Sequence, residues 1–297
     1  MTIEPWYWIA FTLAAAAIQT GRNVMQRNLT ETLGTLGATQ VRFLYGLPFG
    51  LLFCAVVLAV SGAPLPHPNV MTWFWVILGG LAQIMGTFLM LAAMREKSFV
   101  VATALTKFEP VWVALFGLVF LADAIGPALM VAIAAATAGV LVMSWPSKGA
   151  QWALRPVLLG VASGAGFGIA SIGFRGAIRS LELPSFVVGA SFVLALGLCI
   201  QTAVLVVYML MRDRPLLIRI LSAWRPSLLA GACGAAASQA WFLAFAIESA
   251  ARVRTLALVE IFIAQLVSRQ LFKQRNSSRE WIGMALLILG VVMVLQS

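Results

Sequence analysis

Run after run of about twenty apolar residues leaves this chain few soluble folds to adopt, because each run matches the hydrocarbon thickness of a bilayer. The runs are continuous rather than alternating with period two, so they read as helices and not as barrel strands. Ten spans can be drawn, at about 6–24, 39–60, 71–94, 98–121, 124–145, 155–175, 185–210, 226–247, 250–272 and 280–296. Composition agrees: 62% of residues are hydrophobic and 10% charged, and the mean hydropathy is +0.98. The expected fold is therefore an all-α membrane protein with ten transmembrane helices. Its start, MTIEPWYWIAF, has no basic n-region, so the first apolar segment is expected to stay as a helix.

Two of these runs carry a carboxylate near their midpoint. Ser98–Asp123 holds Glu109, and Ser249–Gln274 holds Glu260, 151 positions later. A carboxylate at mid-bilayer depth costs about 2.5–3.5 kcal/mol on insertion scales. Its recurrence at matching places points to a repeat: 1–145 and 155–297 as two five-span halves, with 146–154 as the linker. Gly80 and Gly231, and Gly139 and Gly290, fall in the same register. An odd number of spans per half forces the second to start from the opposite side of the membrane. The halves are thus expected to be inverted repeats, an arrangement that places substrate sites at mid-membrane between them.

The net charge of +10 would suit a nucleic-acid binder if it were gathered on one stripe, but it is spread between apolar runs. No nucleic-acid partner is expected. Arg22, Arg27, Arg42, Arg95, Lys97, Lys148, Arg155, Arg212, Arg214, Arg219, Arg225, Arg269, Lys273, Arg275 and Arg279 follow odd-numbered spans. Only Arg175, Arg179, Arg252 and Arg254 fall on the other side. That bias puts the odd loops in the cytoplasm and both termini outside, in a multi-pass protein of the cytoplasmic (inner) membrane. Cys54, Cys199 and Cys233 lie inside apolar runs and read as small buried hydrophobes. His67 is the single histidine, too few for a His-based metal cage, and there is no P-loop. Neither an enzyme, a metal site nor a cofactor is expected.

The fourth span, TALTKFEPVWVALFGLVFLAD, is followed by IGPALMVAIAAATAGVLVM, and TLALVEIFIAQLVSRQLFKQ with REWIGMALLILGVVMVLQS is the matching copy. In this doubled five-span pattern the chain resembles the drug/metabolite transporter superfamily, in its ten-helix EamA-type branch. The resemblance covers essentially the whole chain and rests on helices and small residues rather than a catalytic motif. It implies small-molecule transport through a central cavity lined by spans 1, 3, 4, 6, 8 and 9. Many such relatives are drawn with cytoplasmic termini, whereas the basic residues here argue the reverse.

Glu109 and Glu260 are the leading site candidates, either binding an amine-bearing solute or exchanging protons during transport. Their structural alternative is an ion pair that locks helices together. Lys107 and Arg254, inside the fourth and ninth spans, can neutralise those acids or attract a substrate carboxylate. Lys107 is two residues from Glu109 and so on another helix face. Gln19 and Asn23, clustered with Arg22, are polar positions late in the first span. Gln83 and Thr87 lie in the third span, and Gln239 in the eighth. These four amides and one hydroxyl can line a cavity or bridge helices. Trp112 and Trp241, with Phe116, Phe242 and Phe245, can form an aromatic wall. Pro110 removes a helix hydrogen bond beside Glu109. Gly160, Gly164 and Gly168 allow close helix approach, as do Gly46 and Gly50. The expected activity is secondary transport of a small metabolite or amphipathic solute by alternating access, with a proton as coupling partner. The alternatives are a flippase for a lipid-linked substrate and a non-transporting scaffold or sensor. One chain, as monomer or homodimer, is long enough to enclose the cavity within the lipid bilayer.

Overall fold

The computed structural model describes residues 6–96, 106–144, 154–261 and 278–296. Its described residues are helical apart from short connections, with no strand among them. The first half contributes α1 (Tyr7–Leu44), α2 (Leu47–Ser61), α3 (Val70–Glu96), α4 (Glu109–Leu121) and α5 (Pro127–Ser144). The second contributes α6 (Leu154–Ser180), α7 (Phe186–Arg212), α8 (Arg214–Ser222), α9 (Trp224–Ile247), α10 (Ala250–Leu256) and α11 (Ser278–Gln296). Five described stretches are long and apolar enough to cross a membrane, and α4, α5 and α11 are shorter apolar helices. The chain is a multi-pass membrane protein.

The expected gap between the first two spans, 25–38, is helical instead. α1 continues through it, broken only where Gly34 takes φ 68°. That left-handed geometry suits glycine, which has no Cβ to clash. Gln26 Nε2 donates to Ala38 O at 2.9 Å, whereas twelve residues of straight helix would hold them about 18 Å apart. The chain therefore doubles back at Gly34, and the amide of Gln26 ties the two arms together. A second correction falls at 211–225, where a loop was expected. Asp213 caps α8 by accepting from Leu216 N at 3.0 Å, and Leu216 and Ile220 are buried against Gly37. The connection 63–69, rich in proline, is non-helical as its sequence dictates. The linker at 146–154 lies almost wholly outside the described residues.

Packing is set by glycines at the crossings. α3 lies along α6 and α1 along α9, while α5 pairs with α11. A Cβ on Gly173 would stand 2.7 Å from Gly79 Cα, and one on Gly166 3.0 Å from Gly86 Cα, so backbones of α3 and α6 touch directly. Gly164 and Gly168 give the same access to Thr106 and Trp112. Between α5 and α11, Gly139 faces Leu287 and Gly290 faces Ala136. Contact this close is the main attraction between helices in lipid, where burial of apolar surface supplies no drive.

Candidate functional site

Two broken helices face each other at the centre. In the first half, Lys107 and Phe108 form a turn ahead of α4, and Pro110 in its first turn has no N–H to extend the ladder. In the second, Ala257 and Leu258 form the corresponding turn after α10. The helix resumes there with short-range bonds, Glu260 N donating to Ala257 O at 3.1 Å. Non-helical backbone at membrane depth is tolerated where it is buried in protein or lines a cavity. Here it delivers one carboxylate and one base from each half.

Their pairing is crossed. Arg254 Nε stands 2.9 Å from Glu109 Oε1, and Lys107 Nζ is bonded to Glu260 Oε1. Each ion pair thus joins the base of one half to the acid of the other. Lys107, in the turn ahead of α4, pairs across the halves rather than with its neighbour Glu109. Ser171 of α6 braces one pair, its Oγ accepting from Arg254 Nε at 3.0 Å, donating to Phe167 O at 2.9 Å and lying 3.3 Å from Glu109 Oε1. Thr20 Oγ1 lies 3.4 Å from Glu260 Oε2. The Arg254 guanidinium also sits over the Trp241 ring, 4.1 Å from its centroid, and Trp241 Nε1 donates to Gln19 Oε1 at 3.0 Å.

A cavity opens beside these pairs, lined by Gln19, Arg22, Asn23, Met90, Thr106, Lys107, Glu109, Phe167 and Arg254. Its free space of ≈ 20 Å³ takes about one water molecule, so the site is closed around no larger solute. The lining comes from α1, α3, α4 with its preceding turn, α6 and α10. Of the candidate residues, Gln19, Asn23, Lys107, Glu109 and Arg254 meet here, with Glu260 behind Lys107 and Trp241 behind Arg254. The others lie off the cavity. Gln83 accepts from Gln201 Nε2 at 2.8 Å, and Thr87 accepts from Arg42 Nη1 at 2.9 Å. Gln239 donates to Ser191 Oγ at 2.9 Å. Trp112 stacks on Phe116 with centroids 5.7 Å apart.

Two arginines assigned to loops belong inside the protein. Arg22 is 1% exposed and Arg42 3%, both within α1. Arg22 Nη2 donates to Asn23 Oδ1 at 2.6 Å, while its Nε and Nη1 have no hydrogen-bond partner among the described residues. The signal for both was present: Arg22 follows some fifteen mostly apolar residues, and Arg42 falls inside the span drawn at 39–60. Removing them from the tally leaves the loop bias intact. Ser171 was missed because an isolated serine in a glycine-rich run carries no distinguishing mark.

Beyond the cavity, Asp123 gathers two arginines. Arg175 Nε lies 3.5 Å from Asp123 Oδ2 and Arg179 Nη1 3.4 Å from Asp123 Oδ1. Arg175 Nη1 also donates to Phe245 O at 2.7 Å and to Glu248 O. This layer joins the end of α4, the last turns of α6 and the α9–α10 connection, about 12 Å along α6 from Phe167.

Comparison with known proteins adds the class. No protein of curated function matches the chain in sequence. A solved structure titled only "Crystal structure of protein" matches with a TM-score of 0.63 at 15% identity, over 95% of this chain and 98% of that one. At that identity the likeness is one of fold. Residues 6–145 match the model of the EamA-like transporter family. That match points to a transporter of small solutes rather than an enzyme. Over residues 6–145, the first half of the chain, the sequence is that of the EamA-like transporter family, part of the drug/metabolite transporter superfamily.

Proposed function

We propose that this protein is a secondary transporter that carries a small metabolite across the cytoplasmic membrane by alternating access. In this reading ten spans form two inverted repeats, 1–145 and 155–297, with both termini outside. The observation that carries it is the crossed pairing of Lys107 with Glu260 and Arg254 with Glu109, at helix breaks beside a cavity. Two further features support it. Exchanging the halves maps the α3–α6 pair onto α9–α1 and the α5–α11 pair onto itself, as a pseudo-twofold requires. The glycines in shared register lie at corresponding crossings: Gly80 of α3 faces Gln201 of α7, and Gly231 of α9 faces Tyr45 just before α2. The family match also ends at residue 145, where the first half ends.

Rocking one half against the other would break the crossed pairs, because each spans the boundary. A carboxylate parted from its base at that depth needs a replacement cation, and a proton is the smallest available. Glu109 and Glu260 are the coupling groups on this reading. Flux into proteoliposomes under an imposed proton gradient tests it, with labelled solutes pooled by chemical class. Saturable, gradient-driven uptake of one class is expected. The variants Glu109→Gln with Arg254→Gln, and Glu260→Gln with Lys107→Gln, strand no charge. At least one pair is expected to lose the gradient response while keeping exchange at equal pH. Flux no greater than in empty liposomes for every class would overturn transport, and an unchanged gradient response in both variants would overturn the coupling.

A further inference from the structure

We infer that the central cavity takes an anionic solute, a small organic molecule bearing a carboxylate or phosphate, with Arg22 as its anchor. The inference rests on the transport reading and adds the substrate class. It begins with a charge count. Arg22, Arg42, Lys107 and Arg254 are all buried, and the carboxylates at this level are Glu109 and Glu260. Four bases against two acids leaves two positive charges over. Neither 97–105 nor 262–277, outside the described residues, contains an Asp or Glu that could add to the two acids.

Both acids are already matched. Glu109 holds Arg254 and Glu260 holds Lys107, so neither cancels the surplus. Arg42 is occupied, donating to Thr87 Oγ1 at 2.9 Å and to Ser238 Oγ at 3.4 Å. Arg22 is not: it lines the cavity, is almost wholly buried, and leaves Nε and Nη1 without a partner among the described residues. Buried donors in native proteins are nearly always satisfied, and an exception needs a reason. The molecule holds this exception open. Asn23 bonds one guanidinium nitrogen only, and Gly234 makes room for the stems of both arginines. A Cβ there would lie 3.5 Å from Arg22 Cδ and 3.3 Å from Arg42 Cγ.

An oxyanion beside Arg22 would supply the missing acceptor and offset the surplus charge together. Guanidinium groups suit it, since their planar donors match carboxylate and phosphate geometry. Once the cavity widens beyond its present ≈ 20 Å³, Met90 and Phe167 would give the remaining wall an apolar surface for the body of the solute. A cationic or amine-bearing solute, the other reading of the two glutamates, would add to the uncompensated charge instead.

The test uses the full-length protein in detergent and thermal unfolding as readout. The probes are succinate, benzoate and phenyl phosphate, the neutral succinamide and benzamide, and the cations putrescine and benzylamine. At least one anion is expected to raise Tm in a saturable way, while its neutral analogue and the amines leave it unchanged. Carboxylate against phosphate is decided by which anion does so. Arg22→Gln is expected to weaken the response at least about tenfold, as loss of one charge-assisted bond requires. Arg22→Lys recovers part of it. The unliganded Arg22→Gln protein should be at least as stable as the parent, because an uncompensated buried charge has been removed. A lower unliganded Tm would mark a structural role and overturn the inference. Stabilisation by amines or neutral amides alone would overturn the anion class and leave transport standing. No response to any probe, with no flux of any class into proteoliposomes, would remove both.

Discussion

The crossed ion pairs decide how single substitutions behave. Taking one partner from a buried pair leaves the other charged and unsolvated, at a cost of about 3–5 kcal/mol. Glu109→Gln alone should therefore lower the unfolding temperature clearly, and Arg254→Gln added to it should restore much of the loss. A thermal double-mutant cycle on positions 109 and 254 checks this, and additive losses would contradict the pairing at 2.9 Å. At this scale the sequence was informative about type and poor about partner. Glu109, Glu260, Lys107 and Arg254 stand out because ionisable groups in apolar runs are costly. Nothing in one chain says that the partners cross between halves. Arg22 and Arg42 were legible in principle, but counting these two with the loop bases hid them. The loop rule presumes that arginine avoids the interior, and these two do not.

At the scale of helices, close backbone contact is the controlling feature. A Cβ on Gly173 would lie 2.7 Å from Gly79 Cα and 2.8 Å from Gly79 N, where no side-chain adjustment can relieve it. Gly173→Val should force α3 and α6 apart and cost at least about 1–3 kcal/mol. Gly21→Ala, where a Cβ would meet nothing within 4 Å, should leave stability unchanged or slightly raised. Comparing the two variants by thermal unfolding separates packing from a general intolerance of larger residues. The apolar runs located most helices to within a few residues. They failed where polar helix continues beyond the apolar run, as in 25–33. Hydropathy reports solvent, not hydrogen bonding, and a helix projecting past the lipid keeps its own ladder. The short amphipathic α8 escaped for the same reason, being too short and too basic to register as a span.

For the molecule as a whole, the alternating-access reading makes the Asp123–Arg175–Arg179 layer the closure on one face of the cavity. Neutralising its shared acid with Asp123→Asn should weaken that closure and shift the population toward opening on that face. The central claim is that one cavity opens in turn to both sides of the membrane. Its most direct measurement places a single cysteine at Met90, a cavity-lining position with no polar bond to disturb, after replacing Cys54, Cys199 and Cys233. The protein is reconstituted in one orientation and treated with a membrane-impermeant thiol reagent from each side separately. Labelling is predicted from both sides, with Asp123→Asn speeding it from the face that bears residue 123 alone. Labelling from one side only, unaltered by Asp123→Asn, would contradict alternating access.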